Sequence, residues 1–289
     1  MSLLNESCIV VRLRGRFGNQ LFQYAVGLAL ARQHGVPLLL DESIIKHLDP
    51  NDYALEPIFP GVRRLDLINP GPLWRGPLNR LRLRFAWQRH RYRAFSHGFD
   101  AGLFERNPPL ILQGYFQSER YFKSVADEIR SRFDAYAASR PAETRLPDVG
   151  AATMVAVHFR RGDYLRHVGF AELPMRYYER AVAVLDALAP GRKHFLVFSD
   201  DPAWAEANSG WLSPRTIMRG GGPLAAYDQM IQIGRCTHVI IANSTFSWWG
   251  AYLRRPSAGV TLAPRLWFED YLRLSYVTAD LLPADWIAL

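Results

Sequence analysis

Two arginines, a histidine and an aspartate crowd into one short stretch, His158-Phe159-Arg160-Arg161-Gly162-Asp163-Tyr164. The apolar run Met154-Val155-Ala156-Val157 just before it reads as a buried strand. In open α/β sheets the carboxyl ends of strands are where ligands bind. Guanidinium groups gathered there are costly to bury unless an anion meets them. The arginine fork matches phosphate oxygens two at a time, so a diphosphate is the natural ligand and Arg160 the residue to hold it. Side chains alternate along an extended segment, which puts His158 and Arg160 on one face and Arg161 on the other, paired with Asp163 or a buried carbonyl. The competing reading of the cluster is an interdomain salt-bridge network.

Three further constellations sit where strands meet helices. Gly15-Arg16-Phe17-Gly18-Asn19-Gln20 lies between a first strand and a first helix. Its glycines allow close backbone approach to a ligand, and the helix start offers unpaired N–H donors. It matches neither the dinucleotide-binding glycine pattern nor a phosphate-binding loop with Gly-Lys-Ser/Thr, and an ordinary turn is an equal reading. Phe198-Ser199-Asp200-Asp201-Pro202 follows another strand. Asp200 and Asp201 can meet a ribose and a base edge, or one of them can cap the helix that starts at Pro202. Asn243-Ser244-Thr245-Phe246-Ser247 follows Ile240-Ile241-Ala242 and precedes a helix. Hydroxyls and unpaired amides at the positive end of a helix dipole form an anion site, with pure capping as the alternative. No histidine cluster at metal spacing is present, so no metal is expected.

The elements that position these residues alternate. Ile9-Val10-Val11 reads as a strand, Leu21 to His34 as a buried helix capped by Gly35, and Val36 to Leu40 as a second strand. From Met154 the alternation resumes, with helices over Leu173–Leu188, Leu224–Arg235 and Phe246–Leu253. Strands fall at Phe195–Phe198 and His238–Ala242. Such alternation predicts parallel, doubly wound sheets. Residues 139–151, with Ser139, Pro141, Pro147 and Gly150, read as a linker, which sets domains of 1–145 and 146–289.

Bulk properties narrow the partners. The formal net charge is +8, and of the basic residues only Lys46, Lys123 and Lys193 are lysine. A basic surface attracts nucleic acid, anionic membrane or anionic substrates. From Leu67 to Phe99 there is no acidic residue, and arginines interleave with Trp74, Phe85, Trp87, Tyr92 and Phe95. Segment 74–95 reads as a peripheral membrane contact or a site for a lipid-linked substrate, or as a solvated helix face with its aromatic residues turned inward. Cys8 and Cys236 are too far apart in sequence to suggest a disulfide framework. No export signal or membrane-spanning run is visible, so the expected compartment is the cytoplasm, with a peripheral position at the inner face of the membrane.

The motifs fall in a fixed order. Gly15-Arg16-Phe17-Gly18-Asn19-Gln20-Leu21-Phe22-Gln23-Tyr24-Ala25 comes first, then His158 to Tyr164, Leu173-Pro174-Met175-Arg176-Tyr177-Tyr178, Phe198-Ser199-Asp200-Asp201, and Ala242 to Ala251. Together they resemble glycosyltransferase family 11, the α-1,2-fucosyltransferases, in its bacterial form. The resemblance covers most of the chain and is weakest over 45–110. It implies a GT-B-like α/β fold with two Rossmann-like domains facing a cleft. The first would be mainly acceptor-side and contribute the Gly15–Gln20 loop; the second would bind GDP-fucose. It also implies inverting transfer of L-fucose from GDP-β-L-fucose to the 2-hydroxyl of a galactose, with no metal or cofactor. The acceptor would be a galactose-terminated oligosaccharide or a lipid-linked glycan, not nucleic acid.

Related α-1,6- and protein O-fucosyltransferases share the histidine–arginine motif, its arginine on the β-phosphate of GDP. Arg160 and Asp163 are thereby the catalytic candidates. Gly15, Phe17, Gly18, Asn19, Gln20, His158, Arg161, Asp200, Asp201, Asn243, Ser244, Thr245, Phe246 and Ser247 are the substrate-binding candidates. The general base stays open among Asp163, His167 and Glu172, and Asp163 has a second reading as the partner that orients Arg160 or Arg161. A transferase for another GDP-sugar and a basic nucleic-acid-binding protein are the alternative functions.

Overall fold

Leucine- and valine-rich runs too short for helices pair into two parallel sheets, and the longer apolar segments between them become helices. The computed structural model describes residues 7–45, 55–66, 88–94, 98–162, 173–254, 259–268 and 278–289. The chain divides into two compact units, Met1–Arg132 with Tyr276–Leu281, and Phe133–Ser275 with Leu282–Leu289.

In the first unit, β1 (Ile9–Arg12), α1 (Phe17–His34) and β2 (Leu38–Asp41) form the expected βαβ unit. β1 pairs in parallel with β2, Ile9 opposite Leu38, and on its other side with β5 (Leu110–Gln113). With β3 (Arg63–Leu65) and β4 (Arg91–Arg93) the sheet runs β3-β2-β1-β5-β4, all parallel. Nearly the whole of α1 is buried, including Gln20 and Gln23, as an apolar helix under a sheet requires. It ends at Gly35 in the left-handed region, φ 65°. The helix begins at Phe17, four residues before the expected Leu21. Phe17, Gly18, Asn19 and Gln20 therefore form its first turn rather than the loop before it, because Phe17 and Gln20 bury their side chains from helical positions.

Of the arginine-rich segment, 74–87 and Phe95 lie outside the described residues. Of the described part, 88–90 is helical, whereas Arg91, Tyr92 and Arg93 depart from the helical reading and form an edge strand, exposed, buried and exposed in turn. Here the arginine–aromatic interleaving is the period-two alternation of a half-buried strand.

In the second unit the sheet runs β11-β10-β9-β6-β7-β8, again parallel. At its centre β6 (Thr153–Phe159) lies between β7 (Lys193–Ser199) and β9 (His238–Ile240); β8 is Arg215–Ile217, β10 Thr261–Ala263 and β11 Ile287–Ala288. A core of Val155, Val157, Phe159, Phe195, Val197 and Ile240 lies under α3 (Met175–Leu188), which adds Tyr177, Tyr178 and Leu185. Tyr177 donates to the carbonyl of Ile241 at 2.7 Å and Tyr178 to that of His158 at 3.2 Å, tying α3 to two strand ends. Trp248 and Trp249 are fully buried and meet edge to face, so they are core residues.

The boundary set by sequence at 145/146 differs from the division at Arg132/Phe133. The division falls inside α2 (Ala126–Ser139), and a regular helix carries no compositional break to mark it. The stretch that reads as a linker is fastened to α5 (Ala225–Gly234) of the second unit. Arg140 pairs with Asp228 at 3.0 Å, Gln232 donates to the Glu143 carbonyl and Arg235 to that of Thr144.

Candidate functional site

In the second unit, strand register alone gathers the chemistry. Phe159 lies opposite Ser199 and Val157 opposite Ile240, so the segments that follow β6, β7 and β9 leave the sheet side by side at its carboxyl edge. These segments are 158–162, 199–201 and 241–247.

His158 ends up inside this edge, 3 % exposed, its ring 5.4 Å from that of Phe246. Burial, reinforced by the positive charge of Arg160, pushes its pKa down to about 3, so the imidazole is neutral at physiological pH. Its Nδ1 is buried without a hydrogen-bond partner. Arg160 lies just past the strand with its side chain 14 % exposed, and its Nη1 pairs with Asp200 Oδ2 at 3.0 Å. The other oxygen of Asp200 accepts from the backbone N–H of Arg161 at 2.9 Å. The two arginines then part, for the Arg161 guanidinium lies over the Trp204 ring at 4.0 Å.

Asp201 caps α4 (Pro202–Asn208), its carboxylate accepting from Trp204 N–H at 3.0 Å, and its own N–H donates to Ser199 Oγ. Capping is thus the role of one of the two aspartates, and an ion pair that of the other. Among the described residues the carboxylate that pairs with Arg160 is that of Asp200; Asp163, His167 and Glu172 lie outside the described residues.

The third segment opens α6 (Thr245–Leu253). Ser244 is its N-cap residue, yet its hydroxyl makes no hydrogen bond to the first-turn amides. Asn243 donates to the Trp267 carbonyl at 3.2 Å, and the buried Ser247 hydroxyl is directed back to the carbonyls of Ala242 and Ser244. Asn243 and Ser247 thus shape the turn, whereas Thr245 and Phe246 are only half-buried. A guanidinium, a neutral imidazole and the positive end of a helix meet at this edge, an arrangement suited to an anion.

The first unit holds the other sequence-derived candidates, at the end of β1. Gly15 has φ +72°, and a Cβ there would lie 2.6 Å from Asn19 Nδ2. Buried amide side chains hold the turn from within. Gln23 accepts from Arg14 N–H at 2.9 Å and donates to its carbonyl, while Gln20 donates to the Gly15 carbonyl at 2.9 Å. Gln117 donates to Asn19 Oδ1 at 2.8 Å. Gln117 follows Phe116, a buried residue held at φ 53° after β5. That strain is tolerated because packing over-determines it.

Gln23, Gln117, Tyr178 and Trp204 are absent from the sequence-derived candidates. For Gln23 a signal existed, since a polar residue on an otherwise apolar helix must find a partner. For Gln117 and Trp204 the contact is long-range and leaves no local pattern.

The comparisons with known proteins follow the motifs. A family model described as glycosyl transferase family 11 matches residues 3–289. An alpha-1,2-colitosyltransferase of Escherichia coli is 29 % identical, covering 98 % of this chain and 99 % of the relative. A galactoside alpha-(1,2)-fucosyltransferase 1 of Saimiri sciureus is 29 % identical over 95 % of this chain and 73 % of its own length. Among solved structures, a mutant of Arabidopsis thaliana FUT1 in complex with GDP shares the fold, with a TM-score of 0.51 at 16 % identity, covering 88 % of this chain and 70 % of that one.

Proposed function

This chain belongs to glycosyl transferase family 11, and from that premise we propose that it transfers L-fucose from GDP-β-L-fucose to the 2-hydroxyl of a galactose in a glycan, with inversion. The observation that carries this reading is the placement of Arg160 at the carboxyl edge of the second sheet, charge-paired with Asp200, beside the uncapped start of α6.

In this reading the acceptor oxygen attacks the anomeric carbon of fucose from the face opposite the leaving group. The carbon–oxygen bond to the β-phosphate breaks, and GDP departs with the electron pair. The acceptor proton passes to a base, for which Asp163, His167 and Glu172 are the candidates. Positive charge grows on the sugar ring and negative charge on GDP. Arg160 and the α6 amides stabilise the latter through interactions that strengthen as the bond breaks. His158, being neutral, contributes a hydrogen bond rather than charge. Arg161, Asp200, Asp201, Asn243, Ser244, Thr245, Phe246 and Ser247 shape this donor site. Gly15, Phe17, Gly18, Asn19 and Gln20 serve substrate binding from the first unit. No metal or other cofactor is required.

A second donor is favoured by one finding. The relative matched over almost its whole length is named a colitosyltransferase, so another deoxysugar is the alternative to fucose. Acceptors of the same class, a galactose-terminated oligosaccharide or a lipid-linked glycan, serve either donor. The exposed Arg91 and Arg93 support a peripheral membrane contact at the cytoplasmic face for the lipid-linked case.

The test is transfer to an array of galactose-terminated acceptors with GDP-fucose, GDP-mannose and a colitosyl donor in parallel. Arg160→Ala should lower kcat by roughly 10²-fold or more with GDP-fucose, the loss expected of a transition-state donor. A near-normal rate would remove Arg160 from the mechanism. Preference for the colitosyl donor would replace fucose.

A further inference from the structure

Asp200 touches three successive residues of the turn that carries Arg160. Its Oδ2 is 3.0 Å from Arg160 Nη1, and its Oδ1 accepts the Arg161 N–H at 2.9 Å. At Gly162 the fit is closest: a Cβ there would lie 2.6 Å from Oδ2 and 3.3 Å from Cγ. Gly162 does not lie in the left-handed region, so its lack of a side chain matters for space and not for backbone conformation.

The carboxylate is itself held from both sides. Before it, Ser199 is locked in register with Phe159 of the central strand. After it, Asp201 is fixed as the cap of α4 and through its N–H to Ser199 Oγ. That same helix presents Trp204, on which Arg161 stacks. Adjacent arginines on a free turn would compete for the same anion. Here one carboxylate takes the first and an indole ring takes the second.

We propose that Asp200 is a positioning residue, which aims the Arg160 guanidinium at the departing diphosphate and does not itself bind the nucleotide. The inference rests on the fucosyl-transfer reading above. A long arginine side chain samples many rotamers unless something fixes it. A group that must meet charge developing at one atom gains most from being fixed in advance. Both carboxylate oxygens are engaged within the protein, Oδ2 by the Arg160 guanidinium and Oδ1 by the Arg161 N–H, so the carboxylate is fixed on the turn that it orients. The ion pair also carries a cost. A carboxylate beside the guanidinium reduces the positive charge that a resting diphosphate meets, so it weakens ground-state binding while improving geometry.

That opposition of signs supplies the test. Asp200→Asn keeps an oxygen for the Arg161 N–H and removes the charge. It should lower kcat with GDP-fucose by about 10- to 100-fold, while GDP, measured by calorimetry, binds no more weakly than to the unaltered protein. Gly162→Ala perturbs the same contact without touching either charge, by pushing Asp200 away, and should lower kcat in the same direction. In the Arg160→Ala background Asp200→Asn should cost nothing further, because there is no guanidinium left to aim.

Three results would overturn the proposal. GDP affinity could fall about tenfold or more in Asp200→Asn with kcat preserved, which would make Asp200 a nucleotide ligand. The losses in the double variant could add. Both Asp200→Asn and Gly162→Ala could retain full kcat while Arg160→Ala does not, which would leave the function standing and remove only the positioning role. If the unaltered protein neither binds GDP nor turns over GDP-fucose, the functional reading and this inference fall together.

Discussion

Replacing His158 by phenylalanine should make the protein more resistant to acid, by an amount that follows from where the imidazole sits. The ring is buried against Phe246 with Nδ1 lacking a partner, and its pKa is pushed from 6.5 to about 3, first by desolvation and then by Arg160. A histidine whose folded pKa lies below its unfolded value contributes no penalty above pH 6.5, where both states are neutral. As pH falls below 6.5 the unfolded chain takes up a proton that the folded one refuses, and stability drops until the folded pKa is reached. The slope approaches about 1.4 kcal/mol per pH unit, so between pH 8 and pH 5 this one residue should remove about 2 kcal/mol.

Phenylalanine keeps an aromatic ring beside Phe246, and the backbone carbonyl that receives the Tyr178 hydroxyl is unaffected. Urea unfolding of both proteins at pH 8 and pH 5 isolates the effect. Glu128, Asp280 and His238, which also titrate with lowered pKa values, are present in both and cancel in the difference. The wild type should lose about 2 kcal/mol more than the variant over that interval. Equal losses would mean that the imidazole is hydrated or charged in the folded state, and the description of a dry site edge would fail with it.

Two further outcomes test local geometry. Gly15→Ala forces a left-handed alanine and drives its Cβ into the Asn19 amide. It should cost about 2 kcal/mol by thermal or urea unfolding, and an unchanged midpoint would show the turn to be loose. Asp201→Ala removes the cap of α4 and should lower stability by about 1 kcal/mol; no change would mean that the helix start is hydrated instead.

Much of the architecture is legible from residue patterns. The segments Ile9–Val11 and Met154–Val157 are apolar and bounded by polar turns, and each forms the start or middle of a central parallel strand. The alternation of strands with amphipathic or wholly apolar helices leaves parallel sheets as the economical arrangement. Ends are less legible. β6 extends through His158 and Phe159 because neighbouring strands supply pairing partners, which no local composition reports. The division of the chain at Arg132, and the return of 276–281 to the first unit through Asp280, which accepts from Phe99 N–H and pairs with Arg120, depend on contacts between distant segments.

The site divides the same way. Residue types and their order placed an arginine at a strand end, hydroxyls at a helix start and glycines at a turn, since strand ends, caps and left-handed turns each demand a local chemistry. Which arginine pairs with which carboxylate was settled only by folding. Asp200 is forty residues from Arg160 along the chain, and it reaches Arg160 because β6 and β7 are paired in register. Sequence sets the charges and their local conformations. Distances between charges on different strands depend on register and packing, and those distances decide that Arg160 is held by Asp200, that Arg161 turns to Trp204, and that His158 stays neutral.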